Sequence, residues 1–329
     1  MTEKNLVTAV RDALHDEMVA DDRVVLLGED VGNRGGVFRI SAGWMEEFGE
    51  DRVIDTPLAE SGIIGVAIGM ALHGLLPVAE IQFADFIFPA VDQIVSEAAR
   101  LRYRSNGAFG CPLVIRAPCG GGIHGALYHS QSIEALFAHV PGLKVVMPST
   151  PADAAGLLRS ALRDPDPVLF LEHKKMYRAV TGDVPDGSYE VPIGRAEVVR
   201  DGTDLSCISY GYALHQCAEA AERLHQEEGL DVELVDVRSL APLDTETIVA
   251  SVAKTAKAIV VYEDNRTYGA GAEIAATIAE EAFFSLDAPI VRIGGPDIPA
   301  MPFATPLEHF FMEPEPDHIY RRMRELATA

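Results

Sequence analysis

Short apolar runs alternate with helical patterns along most of the chain, and this alternation constrains the fold more than any other feature. Helical stretches such as "SGIIGVAIGMALHG" and "FPAVDQIVSEAARLRYR" lie between runs that resemble strands. In the first half those runs are at 23–28, 76–83, 112–118, 143–148 and 167–172. Because parallel strands need a crossover, usually a helix, the alternation predicts an α/β fold whose parallel sheet is covered by helices.

The segment "AVTGDVPDGSYEVPIG" interrupts this alternation and is typical of a linker. The alternation then restarts, with strands predicted in "DLSCISYG", "DVELVDV", "KAIVVYED" and "PIVRIGG" and helices around 212–228 and 270–284. We therefore predict a larger N-terminal α/β domain over residues 1–180, a linker over 181–195 and a smaller C-terminal α/β domain over 196–329.

Charge limits the partners of this chain. Its 50 acidic and 27 basic residues give a formal net charge of -23, which disfavours nucleic acid and anionic membranes because both are polyanions. A basic protein partner is compatible with this charge. The nearest candidate for a membrane span, "GIIGVAIGMALHGLL", is too short, and the N-terminus predicts an amphipathic helix rather than a signal sequence. We expect a cytoplasmic protein that binds neither nucleic acid nor membrane.

Glu29 lies in the loop "GEDVGNRGGVF", which directly follows a predicted strand. Open parallel sheets bind their ligands at the carboxyl ends of strands. The glycines of this loop do not match G-x-G-x-x-G, and G-x-x-x-x-G-K-[ST] is absent from the sequence, so a nicotinamide site and a P-loop are both unsupported. A simple turn and a binding site stay open for this loop.

Glu60 begins a predicted helix that also carries Gly62, Gly65 and Gly69. The helix dipole favours a carboxylate at this position, so Glu60 can be a capping charge. Each glycine costs about 1 kcal/mol relative to alanine in a helix interior, which a helix tolerates where another group must approach closely. At such a crowded junction Glu60 can instead share a proton with a ligand nitrogen.

The segment "EIQFADFIFPAVDQI" places Gln82 and Asp85 in an apolar strand-to-helix turn, with Phe83, Phe86 and Phe88 interleaved. Aromatic side chains in such a turn usually belong to the core. A flat ring beside a helix that begins with Glu can also stack on a flat heterocycle.

The stretch "CGGGIHGALYHSQSIEALFAHVPG" surrounds three histidines with glycines. The spacing of His124, His129 and His139 does not match a zinc site. We expect His139 to be structural, His124 to order the loop and His129 to be a candidate acid or base. Since the chain has neither G-x-S-x-G nor a Cys–His–Asn arrangement, any nucleophile must come from a cofactor.

These segments together resemble the beta subunit of the thiamine-diphosphate-dependent 2-oxoacid dehydrogenases. The resemblance rests on "LLGEDVG", "DRVIDTPLAESGI", "LRYRS", "HGALYHSQS" and "PGLKVVMPSTPADAAGLL" and covers essentially the whole chain. "EIQFADFIFPAVDQI" and "HGALYHSQSIEALFAH" are most similar to the branched-chain member. The resemblance implies a pyrimidine-binding N-terminal domain and a transketolase-type C-terminal domain.

The resemblance also implies an α2β2 heterotetramer with thiamine diphosphate held between an alpha and a beta chain. The alpha subunit of the family holds the diphosphate through Mg²⁺ with a G-D-G…N-N motif, which this sequence lacks. In some members the C-terminal domain docks the basic subunit-binding domain of the lipoyl acyltransferase. The acidic segment 308–318 is compatible with that partner and equally with a solvated surface.

Site residues follow by position from the same resemblance. Glu60 is expected to hydrogen-bond the aminopyrimidine ring nitrogen, favouring the imino tautomer that activates the thiazolium carbon. His129 is expected to exchange a proton when the acyl group passes to the lipoyl arm. Phe86 is expected to stack on the pyrimidine, where many branched-chain relatives carry Tyr. The residues expected to line the cofactor pocket are Glu29, Leu58, Ala59 and Gln82. Those expected to shape the acyl pocket, together with Phe86, are Phe83, Ala84 and Asp85. Asp164 is expected to be a ligand of K⁺.

Three functions stay open. The main hypothesis is oxidative decarboxylation of branched-chain 2-oxoacids with acyl transfer to the lipoyl acyltransferase, and pyruvate or acetoin is the alternative substrate. A non-catalytic assembly subunit is a third reading, against which the presence of Glu60 and His129 counts. A self-sufficient enzyme of the transketolase type is disfavoured by the missing diphosphate motif.

Overall fold

A computed structural model describes residues 1–312 and 314–329. The contacts divide the chain into two compact units, the first formed by Met1–Cys119 with Leu136–Ile193 and the second by Gly120–Ala135 with Gly194–Ala329. Each unit combines helices with a parallel-rich sheet, so the predicted fold class is confirmed. The glycine-rich stretch before residue 136 thus packs with residues of the C-terminal half.

The strands of the first unit are β1 (Thr2–Asn5), β2 (Val24–Gly28), β3 (Val53–Asp55), β4 (Leu76–Glu80), β5 (Val114–Cys119), β6 (Lys144–Val146), β7 (Val168–His173) and β8 (Thr181–Val184). The helices from the same part of the chain are α1 (Leu6–Ala20), α2 (Trp44–Phe48), α3 (Glu60–Leu72), α4 (Leu101–Arg104), α5 (Glu134–Ala138), α6 (Pro151–Arg163) and α7 (Met176–Ala179). Helix α5 crosses the boundary between the two units.

Six of these strands form a parallel sheet in the order β6-β7-β5-β4-β2-β3. Every residue of β2, β5 and β7 is buried, as expected for parallel strands with both faces covered. Strands β2 and β4 end together because Gly28 lies opposite Glu80. A Cβ atom on Gly28 would lie 2.8 Å from the Glu80 carbonyl oxygen, so only glycine fits there.

Two segments of the first unit differ from the sequence-based expectation. The helix predicted from Phe88 is broken into a 3₁₀ turn at Phe88–Ala90, π-helical turns at Gln93–Ala98 and then α4, and a further 3₁₀ turn at Ala84–Phe86 precedes it. Within the predicted linker, β8 pairs antiparallel with β1. This pairing provides hydrogen-bond partners for the backbone N–H and C=O groups of β8. The composition of the segment, on which the prediction of a linker rests, does not reveal this partner strand.

The second unit has strands β9 (Glu197–Arg200), β10 (Leu205–Ser209), β11 (Val232–Asp236), β12 (Ser239–Ala241), β13 (Ala258–Asn265) and β14 (Val291–Gly295). Its other helices are α8 (Gly211–Glu228), α9 (Thr245–Thr255), α10 (Ala270–Glu281), α11 (Thr305–Phe311) and α12 (Pro316–Ala327), with 3₁₀ turns at Ala126–Tyr128 and Phe283–Ser285. Its sheet runs β14-β13-β10-β11-β9, with β9 antiparallel to β11. Apolar residues of α8 and α12 pack with those of this sheet in one buried cluster.

The four cysteines are free and buried. Among the described residues, no helix is both long enough and apolar enough to cross a membrane.

A buried charge network joins three neighbouring strands of the first unit. The Arg116 guanidinium on β5 donates to Glu80 Oε2 at 2.7 Å and to both carboxylate oxygens of Glu172 at 2.7 and 2.9 Å. Tyr177 Oη donates to Glu172 Oε2 at 2.7 Å. The side chain of Arg116 has no exposed surface. Burial raises the pKa of Glu80, and the positive charge of Arg116 opposes this rise.

Replacement of Arg116 by alanine should destabilise the chain strongly, because two buried carboxylates would lose their counter-charge. Breaking a buried pair in this way costs about 3–5 kcal/mol, or a fall in Tm of roughly 6–20 °C. Thermal unfolding of purified Arg116→Ala measures this. Arg104→Ala, which removes an exposed ion pair with Glu97, should leave Tm nearly unchanged, and equal losses in the two variants would contradict the assignment.

Candidate active site

Glu60 is the first residue of α3 and is only 9% exposed. The preceding residues Leu58 and Ala59 are exposed, Leu58 to 81%. A buried carboxylate at a helix N-terminus is stabilised by the positive end of the helix dipole. The structure therefore places Glu60 where the sequence predicts it, beside a segment that is accessible from solvent.

Glu29 follows β2 and shares its surroundings with Glu60. Burial raises the pKa of Glu29, and the negative charges of Glu60 and then Asp30 raise it further. In the part of the chain that the structure describes, the buried Oε1 of Glu29 has no hydrogen-bond partner. Gln82 Nε2 donates to the Glu29 carbonyl at 3.4 Å. The structure thus gathers Glu29, Glu60 and Gln82, and leaves one buried acceptor available to a ligand donor.

Thr56 lies close to the same strand end, since its N–H donates to the Gly28 carbonyl at 3.0 Å. Its hydroxyl is also buried without a hydrogen-bond partner among the described residues. Buried polar groups that lack a partner are uncommon in folded proteins and often mark the place of a ligand. Sequence reasoning missed Thr56, because a threonine directly before a proline carries no distinctive pattern.

The aromatic segment after β4 forms a ring cluster. The centroids of Phe83 and Phe86 are 5.7 Å apart with an edge-to-face geometry, and Phe38 lies 5.7 Å from Phe83. Phe83 and Phe86 are half-buried, whereas Ala84 is fully buried and Asp85 is 7% exposed. Of the four residues expected to shape an acyl pocket, the two aromatic ones therefore offer substantial surface, and Ala84 and Asp85 lie beneath them.

His129 lies in the second unit and follows the 3₁₀ turn Ala126–Tyr128. His124 and Ala126 have φ values of 59° and 53°, a backbone conformation that side chains rarely adopt. A Cβ atom on Gly125 would lie 2.6 Å from the carbonyl oxygen of His129. Gly125 is therefore required for the tight fold of the loop that presents His129, which is half-buried.

Two carboxylates of the second unit, one of them fully buried, hold this glycine-rich loop. Glu263 Oε1 accepts a hydrogen bond from the Gly121 N–H at 2.7 Å. Glu308 Oε1 accepts from the N–H groups of Gly122 at 3.0 Å and His124 at 3.2 Å. Glu308 has no exposed surface. Hydrogen bonds to charged acceptors are about twice as strong as neutral ones, so these contacts fix the loop.

Two further acidic groups lie at the end of the loop. Tyr210 Oη donates to Glu134 Oε1 at 3.0 Å. Burial raises the pKa of Glu134 well above its usual range, and the charges of Asp264 and Glu263 add to the rise. Burial also raises the pKa of Asp264 to about 6. Acidic residues of this unit are thus held close together, and protonation relieves their repulsion.

The sequence did not predict that three acidic residues hold the loop or its end, namely Glu263, Asp264 and Glu308. The first two end the predicted strand "KAIVVYED", a position typical of functional residues, but their partners lie more than a hundred residues away. Glu308 belongs to the acidic segment 308–318, which was expected to be a docking or solvated surface. That expectation is wrong for Glu308, because its side chain is buried and its carboxylate accepts hydrogen bonds from two N–H groups of the loop. Glu313 of this segment lies outside the described residues.

Asp164 follows α6 and accepts a hydrogen bond from Lys144 Nζ at 2.6 Å and another from the Asp166 N–H at 3.0 Å. The lysine ammonium already neutralises this carboxylate. Among residues 1–312 and 314–329, no cluster of three or more His, Cys, Asp or Glu side chains could hold a metal ion. Potassium binding at Asp164 stays a prediction, in which the ion would share the carboxylate with Lys144.

Comparison with known proteins finds similarity along nearly the whole chain. The transketolase pyrimidine-binding domain matches residues 2–180, and the transketolase C-terminal domain matches residues 194–319. The beta subunit of 2-oxoisovalerate dehydrogenase from Bacillus subtilis is 55% identical over 327 residues, which cover 99% of both chains. The chain belongs to the beta subunits of the thiamine-diphosphate-dependent 2-oxoacid dehydrogenases.

Other members of this family are nearly as similar. The beta subunit of the pyruvate dehydrogenase E1 component from Bacillus subtilis is 50% identical, over 90% of this chain and 91% of its own. A solved structure of a split-gene transketolase, an inactive beta4 tetramer, has a TM-score of 0.77 at 23% identity and covers 98% of both chains. At that identity the structural likeness supports the fold alone.

Removal of the Glu308 side chain should loosen the glycine-rich loop. Glu308→Ala loses an acceptor shared by two N–H groups, each contact with a charged group being worth about 1.5–3 kcal/mol. Hydrogen exchange of the amides of residues 120–125 in the purified chain should therefore accelerate at least about tenfold. Glu308→Gln, which keeps a neutral acceptor, should restore part of the protection.

Glu246→Ala provides the control, because Glu246 is 85% exposed in its ion pair with Arg195. In this variant the amides of residues 120–125 should exchange at the wild-type rate. Unchanged exchange in Glu308→Ala would mean that the loop is held by other contacts.

Proposed function

We propose that this chain is the beta subunit of a 2-oxoacid dehydrogenase that oxidatively decarboxylates branched-chain 2-oxoacids and passes the acyl group to the lipoyl group of an acyltransferase. The 55% identity with a 2-oxoisovalerate dehydrogenase beta subunit, over nearly the full length of both chains, is the observation that carries the proposal. The proximity of Glu29, Glu60 and Gln82 also supports it, since their carboxyl and amide groups can hydrogen-bond an aminopyrimidine ring.

The first unit fits the aminopyrimidine half of thiamine diphosphate. Glu60 is a buried acceptor at a helix start, and the buried Oε1 of Glu29 and hydroxyl of Thr56 have no partners within the described chain. A ring that carries an amino group and ring nitrogens has the donors and acceptors that these atoms need. When bound, thiamine diphosphate supplies the carbon nucleophile for the 2-oxo group, which no side chain of this protein offers.

Glu60 is the proposed proton-exchanging residue of the first unit. Its carboxylate would hydrogen-bond a ring nitrogen of the pyrimidine and hold a proton there, with Gln82 and the exposed residues Leu58 and Ala59 lining the pocket. Burial and then the negative charge of Glu60 raise the pKa of Glu29, as expected for two carboxyl groups that line one pocket.

Phe83 and Phe86 are the proposed contacts for flat and apolar groups. Phe86 would stack on the pyrimidine ring, and the edge-to-face contact with Phe83 fixes its orientation. Both rings retain surface for an apolar acyl chain. Ala84 and Asp85 would support this wall from below, since both are buried.

His129 is the proposed acid and base for transfer of the acyl group to the lipoyl arm. Its loop is held by the carboxylates of Glu263 and Glu308, which restrict its motion, while the side chain keeps exposed surface. An imidazole suits this step because its unperturbed pKa allows it to accept and release a proton near neutral pH.

The proposed assembly includes an alpha subunit, which would hold the diphosphate and Mg²⁺, because the G-D-G…N-N motif is absent from this sequence. The net charge of -23 supports a basic subunit-binding domain of the acyltransferase as the further partner. The cytoplasmic location expected from the sequence stays a prediction.

Pyruvate is the second candidate substrate, favoured by the 50% identity with a pyruvate dehydrogenase beta subunit. An apolar pocket discriminates by roughly 10- to 200-fold per methylene group, and a partner chain that shapes part of the pocket can shift this preference. The chemistry proposed for Glu60 and His129 is the same for both substrates.

The complex of this chain with its alpha subunit should prefer 3-methyl-2-oxobutanoate over pyruvate in thiamine-dependent decarboxylation. We expect a kcat/KM ratio of at least about tenfold, because two additional methyl groups would contact the aromatic wall. Glu60→Gln should lower kcat by roughly two orders of magnitude or more, as loss of a positioned acid or base does. Glu50→Gln, at an exposed carboxyl, is the control.

Preference for pyruvate would keep the mechanism and change the substrate. Absence of activity with either acid would favour the non-catalytic assembly subunit. Unchanged decarboxylation in Glu60→Gln would remove Glu60 from its proposed role.

His129→Ala should impair reductive acylation of the lipoyl domain more than decarboxylation measured with an artificial electron acceptor. We expect a difference of roughly a hundredfold between the two losses, the usual contribution of a general acid or base. His139→Ala is the matched control, because His139 is an exposed histidine of the same stretch of sequence. Equal losses in both assays would assign His129 to an earlier step as well.

A further inference from the structure

A cavity of about 260 Å³ in the second unit is lined by basic side chains. Arg292 and Gly294 belong to β14, the edge strand of the sheet. Arg266 directly follows the end of β13, and His318 and Arg322 come from α12, one helical turn apart. We call this group, with Ile293, the arginine cavity. Carboxyl ends of parallel strands, where this cavity begins, are the usual place for ligands in such sheets.

The arginine cavity concentrates positive charge in a strongly acidic chain. Acidic residues outnumber basic ones by 50 to 27 in the whole sequence, and most arginines of the second unit pair with carboxylates, as Arg195, Arg200 and Arg223 do. Within the part of the chain that the structure describes, neither Arg266 nor Arg292 forms an ion pair with a carboxylate. Two guanidinium groups therefore face one cavity without a counter-charge.

The guanidinium of Arg292 is held in place by neutral groups. Its Nη1 donates to the Arg266 carbonyl at 3.0 Å and contacts Tyr262 Oη at 3.4 Å. Tyr262 Oη in turn donates to the same carbonyl at 3.2 Å. These contacts use one nitrogen of Arg292 and do not neutralise its charge. The remaining N–H groups of the guanidinium stay available for an anion.

Glycine forms the floor of the cavity. A Cβ atom on Gly294 would come within 2.8–3.0 Å of the ring and hydroxyl of Tyr262, so a side chain at this position would displace the tyrosine. Arg322 also lines the cavity, and its ion pair with Glu325 at 3.1 Å joins two side chains that are 42% and 64% exposed. An exposed pair of this kind is weak, so Arg322 can turn toward a bound anion at little cost.

We propose that the arginine cavity binds the phosphate group of a small organic phosphate. Three arginines provide more positive charge than a single carboxylate can neutralise, whereas a phosphate dianion accepts several charge-assisted hydrogen bonds at once. The volume exceeds what a phosphate ion alone fills, which leaves space for an organic group beside Ile293. The cavity includes none of Glu29, Glu60 and His129, and the proposal does not depend on their proposed roles.

Isothermal titration of the purified full chain with inorganic phosphate and with glycerol 3-phosphate tests this site, against sodium chloride at matched ionic strength. Both phosphates should bind with one site per chain, glycerol 3-phosphate more tightly. The double variant Arg266→Gln/Arg322→Gln should weaken both at least about tenfold, since each lost contact joins two charged groups. Citrate serves as the carboxylate probe and should bind less tightly than glycerol 3-phosphate.

Arg324→Gln is the matched control. Arg324 lies on the same helix two residues from Arg322 but pairs with Glu228 at 2.8 Å outside the cavity, so its phosphate binding should equal that of the wild type. Thermal unfolding of the double variant verifies its fold. Absence of phosphate binding, equal binding in the double variant, or tighter binding of citrate would each overturn the proposal.

Discussion

The buried ion-pair network centred on Arg116 is the interaction on which the first unit depends. Arg116 joins β4, β5 and β7 through Glu80 and Glu172 at the centre of the sheet, and its side chain has no exposed surface. Charges buried this deeply are tolerated only when their partners have nearly ideal geometry. The network therefore determines how the three strands align. Gln82, a residue of the proposed pocket, follows the carboxyl end of β4 by two residues.

Both units contain buried carboxylates, and the groups that compensate their negative charge differ between the two units. In the first unit a guanidinium neutralises the core carboxylates, while Glu29 keeps an unpartnered oxygen and a raised pKa beside Glu60. In the second unit the backbone N–H groups of the glycine-rich loop neutralise Glu263 and Glu308. The glycines that present His129 thus serve also as hydrogen-bond donors to the acidic residues that hold the loop.

Function in this chain is distributed over separate places in the fold. The proposed cofactor contacts lie at strand ends of the first unit, and the proposed acid and base of acyl transfer lies in a loop that packs with the second unit. The arginine cavity lies at the edge strand of the second sheet. Each place combines a strand end, which orients polar groups, with a glycine that allows close approach, as Gly28, Gly125 and Gly294 show.

The sequence by itself determined the fold class, most strand positions and the candidacy of Glu60 and His129, because hydrophobic periodicity and local motifs are properties of neighbouring residues. The burial of Glu308, the packing of the glycine-rich stretch with the C-terminal half and the arginine cavity were decided only by the tertiary structure. In each case the partners lie far apart in the chain, as when Glu308 meets Gly122. Composition assigned Glu308 to an acidic surface, since a charge is normally solvated; its burial follows from backbone donors that no local pattern reveals.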